Sequence, residues 1–139
     1  MAKFDIEFNK VILVEGGYVN DIHDKGGETY LGISRKNNPT WKGWKIIDNI
    51  KSTNGTKNIN THLKRNIELT NLAKNIYKIK YWNKLKLDNI PNQNIAHQLF
   101  DTAVNCGLFT AIKIAQQVCK LPITGKWSNE LEIKLKEYK

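Results

Sequence analysis

Three side chains near the N-terminus have the types and the spacing for acid–base chemistry. Glu15 stands in "LVEGGYVND", Asp24 follows nine residues later, and Thr29 comes five after that. Two carboxylates in unlike surroundings, one short of water and one in a polar Gly-rich loop, suit cleavage of a glycosidic bond. One protonates the leaving oxygen, and the other activates water or stabilises the oxocarbenium-like transition state. The placement of Glu15 fits the first role. Phe4, Phe8, Val11 and Ile12 recur at the spacing of one buried helical stripe and Gly16 is a stop signal, so Glu15 falls in the last turn of a helix. Exposed carbonyls make that end electronegative, and a carboxylate there loses about 0.3–1 kcal/mol. Ile12, Leu13 and Val14 are expected to keep water away. A general acid must hold its proton near neutral pH, which such a setting assists. Plainer readings stand beside these: Glu15 as a solvated carboxylate at a frayed helix end, and Asp24 as a turn residue before Lys25-Gly26.

The elements that must position these residues follow from periodicity. "YVNDIHDKGGETYLGIS" predicts a loop and a small hairpin. Residues 38–62 predict a short helix around Trp44–Ile50 and then a mobile loop through Asn54-Gly55. From residue 63 onward, Leu69, Leu72, Ala73 and Ile76 predict a helix, and Pro91 lies in the connection that follows. Ala96, Leu99, Phe100 and Ala103 predict another over 95–106, where His97, Asp101 and Asn105 form a polar line along the apolar border. Leu108, Ala111, Ile112, Ala115, Val118 and Cys119 predict a fourth, ended by Pro122 and Gly125, and Ser128 starts a short last helix.

With 139 residues and 40% hydrophobic content, the chain suits one globular domain over 1–139. No apolar run approaches the roughly 20 residues of a membrane span, and "VILV" is far short of a signal-peptide core. Synthesis in the cytoplasm is therefore expected, without stable membrane insertion. The net charge of +9 is uneven: −3 over 1–34, +11 over 35–86 and +1 over 87–139. An acidic segment beside a basic middle suggests carboxylates near a surface that attracts a polyanion, either nucleic acid or an anionic wall polymer. Only two Arg are present and the Lys are mostly isolated, which argues against nucleic acid. Asp21, His23 and Asp24 match no metal-loop signature, and neither metal nor cofactor is expected.

The motifs "EGGYVND", "DKGGETYLGIS", "YW" at 81–82 and "FDTAVNCG" at 100–107 closely resemble, in order, those of glycoside hydrolase family 108. These are lysozyme-like muramidases of phage endolysins and of proteins described as secretion activators. The resemblance runs over nearly the whole chain. It implies a mainly α fold of the α+β lysozyme-like superfamily, with a small β-hairpin beside a cleft. It also implies cleavage of the MurNAc–GlcNAc bond of peptidoglycan glycan strands, reached after holin-type or other release, and action as a monomer. The family's catalytic Glu carries over onto Glu15. The Glu, Asp, Thr order resembles the phage-type lysozyme triad, which has one more residue between Asp and Thr, so Tyr30 stands as an alternative to Thr29. Residues 95–139 match the family's C-terminal, peptidoglycan-binding-like segment, with a short end, and the Lys/Asn-rich stretch before "YKIKYW" is long. Tyr18, Tyr30 and Trp82 are candidates for stacking on sugars, and Asp101 and Asn105 for ordering the site. A non-catalytic wall-binding or secretion-assisting module of the same fold is the alternative function.

Cys106 and Cys119 are the only cysteines. On one continuous helix, at about 1.5 Å per residue, they stand far beyond disulfide reach. They read as reduced core residues. Thiol titration of the unfolded chain without reductant is expected to find both thiols free, and a titre of zero contradicts this reading.

Overall fold

The structure, a computed structural model, describes residues 1–21, 23 and 27–138. Seven helices occur among the described residues: α1 (Phe4–Val14), α2 (Gly43–Asn54), α3 (Ile59–Arg65), α4 (Ile67–Tyr77), α5 (Gln93–Cys106), α6 (Leu108–Val118) and α7 (Asn129–Lys136). Strands β1 (Tyr18–Asn20), β2 (Glu28–Tyr30) and β3 (Ile33–Ser34) form one antiparallel sheet in the order β1-β2-β3. The expected hairpin is thus extended by a third short strand. The chain divides into two compact units, residues 9–76 and residues 1–8 with 77–139. The divisions fall inside α1 and α4.

In residues 9–76, Tyr30, Leu31, Ile33, Trp44, Ile47, Ile59, Leu63, Leu69 and Ala73 are buried. α2 is longer than Trp44–Ile50 and ends at the Asn54-Gly55 turn, where the Gly55 N–H donates to the Lys51 carbonyl. The expected mobile loop contains α3, whose anchors Ile59 and Leu63 stand four residues apart and are both buried. Two apolar positions among Asn, Thr and Lys were too weak a period to predict it. The helix expected from residue 63 breaks at Asn66, which is extended, and restarts because the Asn66 Oδ1 accepts the Leu69 N–H at 2.9 Å.

The second unit is built on aromatic packing. Phe100 meets the rings of Phe4, Tyr77, Tyr81 and Trp82 at centroid distances of 5.9–6.4 Å, mostly edge-on, the geometry that ring quadrupoles favour. "YKIKYW" closes this core as a π-helical turn, Lys78–Trp82. Helix starts follow the sequence: Asn92 caps α5 through the Ile95 N–H, and Ser128 caps α7 through the Leu131 N–H, both at 3.1 Å. Gly107 separates α5 from α6. Both cysteines are free, but neither is a core residue: Cys106, the last residue of α5, is exposed, and Cys119 is half-buried. They lie on separate elements because α5 stops before Gly107. No helix among the described residues is long and apolar enough to cross a membrane.

Phe100→Ala removes the ring shared by four aromatic partners and is expected to cost about 3–5 kcal/mol of folding stability, read by urea unfolding. A loss below about 1 kcal/mol means that the cluster does not carry this core.

Candidate active site

Glu15 directly follows the last residue of α1, and its N–H still donates to the Val11 carbonyl at 2.8 Å. Gly16 turns the chain out of the helix in the left-handed region, at φ +69°, which a residue with a Cβ adopts only under strain. Gly17 has a different reason. A Cβ there would overlap the amide of Asn60 on α3. That amide's Oδ1 accepts the Tyr18 N–H at 2.7 Å, just where β1 begins. The expected shielding of Glu15 is corrected: Leu13 and Val14 are 85% and 80% exposed, because the buried stripe of α1 runs through Phe4, Phe8 and Val11.

β1 and β2 pair in the register Tyr18 with Tyr30, Val19 with Thr29 and Asn20 with Glu28. Alternation puts Tyr18, Glu28 and Tyr30 on one face of the sheet and Thr29 on the other, with Val19 and Ser34 as its cross-strand neighbours. Tyr30 is 1% exposed, so it is a core residue with no ring face for a sugar, and the stacking role expected of it is corrected. Trp82 is corrected likewise: it is fully buried, its indole N–H donating to Asp88 at 2.8 Å. Asp101 and Asn105 are exposed and bonded to each other one turn apart on α5, and Trp82, Asp101 and Asn105 belong to the second unit. His97 of the same polar line is committed elsewhere, its Nδ1 lying 2.5 Å from the Glu7 carboxylate. Asp21 serves a turn, accepting the His23 N–H at 2.9 Å. Asp24 lies outside the described residues.

Among the described residues of 9–76, a dense polar cluster is centred on Glu28, which the motifs do not single out. Its carboxylate accepts hydrogen bonds from the Tyr18 hydroxyl, from Lys51 Nζ at 2.7 Å and from Arg35 at 2.8 Å. Arg35 also grips Asp48 with two bonds of 2.8 Å, and Lys51 reaches the Tyr18 hydroxyl at 3.1 Å. Burial pushes the Glu28 carboxyl up, but the hydrogen bonds from Lys51, Tyr18 and Arg35 outweigh it and hold it below its ordinary value. The Arg35 bonds hold Asp48 low as well, and burial followed by the Glu28 bond pushes the Tyr18 hydroxyl up. With three donors on its oxygens, Glu28 has little capacity left to serve as a base. Lys51 sits 5.3 Å over the Tyr18 ring, so that ring's hydroxyl and one neighbourhood of its face belong to the cluster. The available signals were the period of two that sets Glu28 beside Tyr18 and the helical spacing of Asp48 and Lys51. Neither names a partner across the fold.

A mainly helical chain with a small antiparallel sheet just after a helix-terminal carboxylate has the α+β lysozyme-like fold. A solved structure, SagA of Brucella abortus, matches it with a TM-score of 0.67 and 26% identity over 98% of this chain and 70% of that one. No curated protein matches. The Glycosyl hydrolase 108 family matches residues 8–107, and the chain belongs to that family. It is a glycosidase, and its substrate is a glycan.

The pH dependence of the Glu28 cluster follows from its depressed carboxyls. Their stabilisation is complete above the ordinary values of 4.5 for Glu28 and 3.8 for Asp48, and is lost as pH falls through the lower folded-state values. Glu28→Gln leaves Lys51 and Arg35 without that carboxylate, so it is expected to be less stable than wild type at neutral pH. The gap should narrow below about pH 4. Urea unfolding across that range checks it, and a gap independent of pH assigns the loss to shape rather than charge.

Proposed function

We propose that this glycosidase is a peptidoglycan N-acetylmuramidase that cleaves the MurNAc–GlcNAc bond with Glu15 as general acid. The observation that supports this most is the placement of Glu15: a carboxylate on a glycine elbow where α1 ends and β1 begins, inside the matched family region. In the reaction, Glu15 gives its proton to the glycosidic oxygen as the C1–O bond breaks and positive charge develops on the sugar ring. Asp24 either stabilises that charge or takes a proton from the water that bonds to C1, and Thr29 assists on the sheet. No cofactor enters these steps. The chain is proposed to act as a monomer on wall glycan after release from the cytoplasm, in phage-type lysis or in a secretion role.

Hydrolysis of purified peptidoglycan is expected to release fragments ending in reducing MurNAc, identified by mass spectrometry. Ends in 1,6-anhydro-MurNAc instead assign a lytic transglycosylase. Glu15→Gln keeps the shape and removes the transferable proton, so hydrolysis should fall about 10²–10⁴-fold. Its thermal stability should be equal or raised by up to about 1 kcal/mol, since the unfavourable end charge is gone. Asp24→Asn is expected to lose activity too. Near wild-type muropeptide release by a folded Glu15→Gln protein overturns the assignment.

A further inference from the structure

Two of the features that fix the exit from Glu15, a hydrogen bond and a close contact, come from one side chain outside the motifs quoted above. Gly16 and Gly17 are the two residues that follow Glu15, and glycine pairs carry the largest backbone freedom of any dipeptide. A general acid must stay within about 2.6–3.2 Å of the oxygen it protonates, and a misplacement of about 1 Å costs on the order of 10² in rate. The elbow therefore needs a restraint that its own sequence does not supply. Upstream, the Glu15 N–H is held by the Val11 carbonyl at 2.8 Å. Downstream, Asn60 Oδ1 holds the Tyr18 N–H at 2.7 Å, from 42 residues away in sequence. The same amide fills the space a side chain at Gly17 would take, so contact and hydrogen bond act together. Asn60 is itself held by the neighbouring Ile59 and by Leu63, which are 6% and 0% exposed and seat α3 in the core. The Tyr18 hydroxyl is bound by Glu28 and Lys51, so the first residue of β1 is gripped at both its amide and its far end.

We infer that Asn60 is a positioning residue for Glu15: it pins the Gly16–Gly17 elbow from α3, a helix contributed by the long Lys/Asn-rich segment. This rests on the reading of Glu15 as the general acid. All the groups concerned lie within residues 9–76. Asn60 has no chemical step of its own; it fixes where the acid stands and so acts on kcat rather than on substrate affinity.

The test compares wild type, Asn60→Ala, Asn60→Asp and Glu15→Gln on soluble peptidoglycan glycan strands, with thermal unfolding of the same samples. Asn60→Ala is expected to lower kcat about ten- to a hundredfold with KM within about twofold of wild type. Asn60→Asp keeps an acceptor oxygen in the same place and should recover most of kcat. Wild-type kcat in Asn60→Ala beside an inactive Glu15→Gln overturns this inference and leaves the catalytic reading standing. Equal losses in Asn60→Ala and Asn60→Asp, matched by equal falls in melting temperature, also overturn it, since that pattern belongs to a structural residue. Full activity in Glu15→Gln overturns both readings at once.

Discussion

A carboxylate drawn out of water at Glu28 is the constraint around which residues 9–76 are organised. Its side chain is only 12% exposed, and a desolvated charge of that kind is tolerated only with donors on its oxygens. Those donors come from three places in the chain: Tyr18 on β1, Arg35 just after β3 and Lys51 on α2. Satisfying one charge thereby ties the sheet to the helix behind it. Asp48 extends the arrangement by giving Arg35 a second carboxylate, so neither cation is left facing a single anion. Exposed ion pairs contribute little on their own, and Arg35 is partly exposed. The cluster matters as a network that defines one geometry more than as a sum of bonds.

The elbow after Glu15 depends on that geometry. A helix that ends on a carboxylate, followed by two glycines, is a weakly determined piece of chain by local rules. It becomes determined because β1 is anchored at both ends of Tyr18. The two glycines then have separate physical reasons: Gly16 for its left-handed backbone and Gly17 for the close approach of Asn60. Neither can be exchanged for alanine without strain or overlap, whatever the reaction at Glu15.

The second unit has a buried carboxyl group of its own. Glu7 is 1% exposed, and its carboxylate is met by Gln93 Nε2 at 2.6 Å and by His97 Nδ1 at 2.5 Å. Gln93 also bonds the backbone of Lys3 in both directions. These contacts fasten the first turns of α1 to α5, beside the aromatic packing around Phe100. His97 and Trp82, which look like site residues by type, are used here to hold a core together.

Local patterns in the sequence determined a good deal. Apolar periods located α1, α5 and α6 to within a few residues, since one face of each is buried and the burial writes itself into the spacing. Ser128 marked the start of α7 for a different local reason, a capping hydrogen bond between near neighbours. The position of Glu15 at the end of α1 was equally legible from Gly16. What the sequence did not contain were partners distant along the chain. α3 was read as loop because two apolar residues do not make a period, and only its seat in the core reveals it. Tyr30 and Trp82 were read as binding aromatics because residue type says nothing of which side of a surface a ring occupies. Glu28 with Lys51, and Tyr18 with Asn60, are separated by 23 and 42 residues, and such pairs exist only once the tertiary fold has closed the intervening chain. Periodicity records what each element buries; it carries no record of which element arrives to meet it.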